Sequence, residues 1–238
     1  MNGDYSPGYS LMTNVLSQET GVSRTPVREA LRQLETDGLV NIRPRLGASV
    51  KMMDLKEFQQ VCELRLALES FAAGLAAQHS TDAELHEIQT ALKAMSKLTE
   101  QFAAEGGQGA QILADIAAED VRFHLAIMSA AKNDVIKSEI LRLHLINRVV
   151  SRPVVGGRDG PSSADAAQKI AHRRLIQSEH EEIFEAISGR DVAAAKNSME
   201  RHILSIIDSN LLTRARADRP SSQKGTGKED IKHIYNSS

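Results

Sequence analysis

Residues 21–40, Gly-Val-Ser-Arg-Thr-Pro-Val-Arg-Glu-Ala-Leu-Arg-Gln-Leu-Glu-Thr-Asp-Gly-Leu-Val, leave room for few folds. They read as a tight turn and a short helix. Ser23 is placed to cap that helix, its hydroxyl accepting from an otherwise unpaired amide of the first turn. Pro26 falls early in it, where a missing amide proton costs nothing. Val27, Ala30, Leu31 and Leu34 recur at three- and four-residue spacing and predict one apolar face. Arg24, Thr25, Arg28 and Arg32 are left for the opposite face and the N-terminal end. A short helix with a buried back and a basic front suits a DNA major groove, where it can reach phosphates and base edges. The plainer reading is an amphipathic helix with solvated arginines.

The flanking residues argue against the plainer reading. Gly38 ends the helix, Leu39–Ile42 reads as a strand, Arg43–Gly47 as a basic turn and Ala48–Lys51 as the returning strand. With Thr13–Thr20 as the preceding helix, the order is that of a winged helix-turn-helix. Charge follows the same division. Residues 22–51 carry six basic and three acidic side chains, net +3, so the remainder of a chain with net charge -2 holds -5. Phosphate attraction is local and screened by salt, so a basic module on a mildly acidic body suits DNA binding by one end only.

Beyond residue 53 no strand is expected. Six segments of helical periodicity follow, at about 54–79, 82–104, 110–131, 134–152, 164–188 and 191–214, broken by Ser80-Thr81, Gly106-Gly107, Asn133, a long loop at 153–163 and Gly189. The fold class is therefore mainly α: an N-terminal winged helix-turn-helix (residues 1–53), an antiparallel all-helical bundle of six helices (54–214) and a polar, aperiodic tail (215–238) read as disordered. One cysteine, Cys62, excludes an internal disulfide and suits a reducing compartment. No signal-peptide pattern and no membrane-length apolar run is found, so a soluble, cytoplasmic protein with no membrane partner is expected.

The bundle carries a polar constellation. Asp120 and His124 lie four residues apart and share one face of the third bundle helix. His124 runs with Ile127 and Met128, His180 with Ile183, Phe184 and Ile187, and His202 with Met199, Ile203 and Ile206, so each imidazole points toward an apolar interior. Three histidines and a carboxylate converging from facing helices suit a first-row divalent transition metal of the Zn, Ni or Mn type. A single histidine on an apolar face is more often a hydrogen-bonded core residue. His172 reads as a surface residue, and His144, set among leucines, as one packed against the core.

The run Ser23–Leu31, with Leu34-Glu35, Asp37–Val40 and Arg45-x-Gly47, closely resembles the GntR superfamily of bacterial transcription regulators. Residues 54–214 are similar to the all-helical ligand-binding (FCD-type) domain of its FadR subgroup, on Glu63-Leu64-Arg65-x-x-Leu68-Glu69, Asp120-x-x-Phe123-His124, His180-x-x-Ile183-x-x-Ala186-Ile187, Ala194 and Met199-x-x-His202. The resemblance implies that Arg24, Thr25 and Arg28 contact operator DNA and that Arg45 and Gly47 bring the wing to the minor groove. It implies a metal held by Asp120, His124, His180 and His202, with open positions that take the carboxylate or hydroxyl of a small organic acid. It also implies a further helix ahead of the segment Gly3–Gly8, at which this chain almost begins. Either the start is misassigned or the DNA-binding module is abbreviated.

Arg65 is the candidate second anchor for that acid, because guanidinium and carboxylate pair in a bidentate fork. An ion pair with Glu69, one turn on, is the equal alternative. Asn147 and Arg148 are weaker candidates. The expected protein is a homodimer on a palindromic, double-stranded operator, a repressor relieved when the small-acid effector binds at the metal, and not an enzyme. A metal-sensing regulator is the alternative, and a metal-dependent hydrolase a more distant one, since no separate general base is found.

Overall fold

The computed structural model describes residues 5–150 and 163–217, with the side chains of 147–150, 163–165 and 209–217 outside that description. The expected loop at 153–163 and all but the first residues of the expected tail lie outside the described residues, as do the side chains of Asn147 and Arg148.

The N-terminal part follows the order β1 (Ser10–Leu11), α1 (Thr13–Thr20), α2 (Arg24–Thr36), β2 (Val40–Arg43) and β3 (Gly47–Val50). Gly21 closes α1 in the left-handed conformation, φ 71°, which glycine adopts without steric cost. At the end of α2 the amide of Leu39 donates to the carbonyl of Leu34 at 2.9 Å, with Gly38 at φ 79°, so the helix stops in a Schellman turn. β2 and β3 pair antiparallel as the wing, and Arg43 stands opposite Gly47. The short strand β1 was not expected. It pairs antiparallel with the other edge of β3, Leu11 opposite Ala48, and makes a three-stranded sheet in the order β1-β3-β2.

Two details of α2 differ from expectation. Ser23 occupies the cap position but its side chain makes no capping hydrogen bond. Ala30 is exposed, because the inward face narrows to Val27 and Leu31 with Leu34 partly covered.

Six helices follow: α3 (Leu55–His79), α4 (Asp82–Ala104), α5 (Ala110–Ala130), α6 (Asp134–Val150), α7 (Ser163–Ser188) and α8 (Val192–Ala217). Reciprocal capping boxes start two of them, Asp54 with Glu57 on α3 and Thr81 with Glu84 on α4. α8 continues three residues into the segment expected as tail. α3 is the central helix and packs against α5, α6, α7 and α8. Its buried face reads Phe58, Cys62, Arg65, Glu69, Ala72, Ala73, Ala76 and Ala77. Small alanines let neighbouring helices approach closely, and two charged residues sit in the same stripe.

The apolar core is continuous from the wing into the bundle, running from Leu31, Leu39 and Val50 through Met53 and Phe58 to Ile146 of α6. A Cβ built at Gly38, just past the recognition helix α2, would stand 3.5 Å from Ile146 Cδ1. The end of α2 therefore rests against α6.

Candidate metal centre and nucleic-acid interface

Three helices place the four expected donors. α5 supplies Asp120 and His124 one turn apart, α7 supplies His180 and α8 supplies His202. One ligand atom from each of the four lies within 4.8 Å of those of the others. His124 and His202 have no exposed surface and His180 is 1% exposed, whereas Asp120, at 30%, forms the side of the cluster that solvent reaches. His180 Nε2 is 3.1 Å from His202 Nε2 and 3.4 Å from Asp120 Oδ1. The structure thus brings together all four residues singled out in the sequence.

The hydrogen-bonding state of these rings suits a cation. Glu179 Oε2 lies 2.9 Å from His202 Nδ1, so Nδ1 carries the proton and donates, and the lone pair of Nε2 faces the cluster. Glu69 Oε2 stands 2.5 Å from His124 Nδ1, and His124 Nε2, also buried, has no hydrogen-bond partner. Burial, then the neighbouring His202 imidazole, push His180 well below the ordinary histidine value. It is neutral near pH 7, the form that ligates metals. Burial raises Asp120, but the imidazoles of His124, His180, His202 and His144 outweigh that and hold it below the usual aspartate value, so it is ionised. Imidazole lone pairs and a carboxylate confined together repel unless a cation lies among them. The donor set is nitrogen with one hard oxygen, which fits a divalent transition metal.

A second buried group adjoins the first, and most of it escaped the sequence. Glu69 has no exposed surface and touches three partners: Arg65 Nε donates to Oε1 at 2.8 Å, His124 Nδ1 approaches Oε2, and His144 Nε2 is 3.3 Å from Oε1. Burial works to raise its pKa, but Arg65 first and then His124 and His144 hold it well below the glutamate range. The two expectations for Arg65 are resolved as geometry: the guanidinium, 3% exposed, is paired with Glu69. His144 packs in the core as expected, and it also joins this group. His172 is half-buried rather than on the surface, and burial lowers its pKa. The available signal was the placement of Arg65 and Glu69 in an otherwise apolar stripe of α3; Glu179, a surface-type residue one position before His180, gave none.

At the other end of the molecule Arg24, Thr25, Arg28 and Arg32 on α2 are all exposed. Arg45 and Gly47 are exposed at the wing turn, both with positive φ, 65° and 86°. Helix front and wing tip thus both present basic side chains to solvent.

Comparison with known proteins follows the same division. Residues 60–205 match the family model described as the FCD domain, and residues 1–50 match that of bacterial regulatory proteins of the gntR family. The HTH-type transcriptional regulator LutR of Bacillus subtilis is 32% identical over 87% of this chain and 94% of its own length. The HTH-type transcriptional repressor RspR of Escherichia coli is 26% identical over 86% of this chain and 80% of its own. Among solved structures, E. coli McbR/YncC superposes with a TM-score of 0.69 at 20% identity, covering 90% of this chain and 92% of that one, which speaks for the fold alone.

Proposed function

Because the chain belongs to the GntR family of bacterial transcription regulators and carries its FCD domain, we propose that it is a repressor whose operator affinity is set by a small organic acid bound at a divalent metal in the helical body. The matched domains and relatives are those of regulators and not of enzymes. Among the described residues no helix is long and apolar enough to cross a membrane. The observation that carries the proposal is the inward convergence of Asp120, His124, His180 and His202, with one ligand atom of each within 4.8 Å of the others and His124 Nε2 buried without a hydrogen-bond partner.

In this reading those four side chains hold the metal, Glu179 fixes the tautomer of His202, and Glu69 stands behind His124. A bound metal supplies Lewis acidity, an affinity for carboxylate or hydroxyl oxygens at its open positions. Asp120 keeps that side accessible. Removing Glu179 by alanine substitution is expected to lower metal affinity about 10–100-fold, measured by competition with a chromophoric chelator, since partners that orient a ligating imidazole carry that much.

The division at residues 53 and 54 then separates a reading head from a sensing body. Arg24, Thr25 and Arg28 enter the major groove, and Arg45 and Gly47 bring the wing to the minor groove. Two copies are needed for a palindromic operator. An exposed apolar stripe on α3, with Leu64 at 43% and Phe71 at 48%, supports self-association. α6 is the physical link: His144 touches Glu69 at the sensing group, and Ile146, two residues on, touches the end of α2. Ligand binding can change operator affinity only through its different affinity for the two arrangements of these helices.

A band-shift titration with the DNA upstream of the coding sequence tests this. Arg28→Ala is expected to weaken specific binding by about 1–3 kcal/mol. An unchanged affinity would remove Arg28 from the groove. If stripping and restoring metal alone toggles DNA binding, the metal is the signal and the small-acid reading fails.

A further inference from the structure

Arg173 precedes His180 by two helical turns on α7, so the two side chains leave the same face of that helix. Its environment is unlike that of the other arginines of the body whose side chains are described. Arg65 is held by Glu69, and Arg174, the next residue, is paired with Glu100 at 3.0 Å. Arg173 is half-buried and makes no hydrogen bond or ion pair with any described residue. Burial lowers its pKa from the ordinary arginine value, and Asp120 is the one charge that opposes the shift. The guanidinium therefore lies within electrostatic reach of the donor that solvent can approach. A desolvated cation with no partner among the described residues is costly to keep, and the cost is recovered when an anion enters.

We propose that Arg173, rather than Arg65, is the anion-binding residue of the effector pocket: it pairs with a carboxylate of a small acid whose second oxygen donor reaches the open side of the cluster at Asp120. The inference rests on the metal reading above for that second contact. It assigns Arg65 to structure, since its guanidinium already satisfies a buried carboxylate. It also defines the ligand class. The acid carries at least two oxygen-donor groups, one for the guanidinium and one for the metal, as dicarboxylates and hydroxy acids do. The planar fork of arginine matches a carboxylate in a way that lysine does not.

The test is calorimetric titration of the zinc-loaded full chain with succinate, malate and citrate, with succinamide as the uncharged control. Arg173→Gln is expected to retain full zinc content by elemental analysis and native helical content by circular dichroism, while its affinity for the acid that binds most tightly falls at least about tenfold. Arg173→Lys is expected to recover only part of the loss. Undiminished affinity in Arg173→Gln with zinc in place would overturn the anchor and leave the metal reading standing. Failure of the zinc-loaded native chain to bind any of the three acids would overturn it as well. Arginine-dependent acid binding by a chain that takes up no zinc would support the anchor and remove the metal.

Discussion

Truncating Glu69 to alanine is expected to lower the free energy of unfolding by about 3–5 kcal/mol, read from urea denaturation at constant m-value. The side chain has no exposed surface and is shared by Arg65, His124 and His144. Its loss strands the Arg65 guanidinium, 3% exposed, as a buried charge with its carboxylate gone. That penalty is far larger than the net value of the pair, because a buried ion pair gives back in attraction only what desolvation removes. The two effects separate in a double variant. Glu69→Leu combined with Arg65→Met replaces both charges by apolar groups and is expected to regain most of the loss. Equal destabilisation in the single and double variants would mean that packing volume, and not the stranded charge, sets the cost.

His202→Ala is expected to weaken metal binding by more than about 100-fold, beyond the range for residues that only orient a ligand. His202 Nε2 faces His180 Nε2 at 3.1 Å and Glu179 engages its other nitrogen, so the substitution removes the one residue that α8 brings to the four-residue cluster. The ring is fully buried, so some stability is lost too. For that reason helical content is to be followed alongside metal affinity. Near-native helicity with the affinity gone identifies His202 as a ligand. Native affinity in a folded variant would exclude it.

The helices were legible because their signals are local. Asp54 with Glu57, and Thr81 with Glu84, announce α3 and α4 within four residues, and the stripes carrying His124, His180 and His202 predict burial correctly. What was missed depends on contacts made far along the chain. β1 is two residues long, too short for an alternating pattern, and exists because Leu11 finds Ala48. Ala30 follows the helical spacing of Val27 and Leu31, yet nothing among the described residues covers it. Glu69, His144 and Glu179 come from three helices, and their roles follow from which faces meet, a matter of packing that periodicity does not encode. Arg173 lies beside Arg174 in the sequence, and only the fold sends one to Glu100 and leaves the other within electrostatic reach of Asp120.

That Asp120, His124, His180 and His202 grip a metal is tested most directly by X-ray absorption at the metal edge of the zinc-reconstituted full chain. A first shell of nitrogen and oxygen donors with the multiple-scattering pattern of three imidazoles is the predicted spectrum. A shell of water oxygens without imidazole scattering, or no retained zinc after desalting, would contradict it.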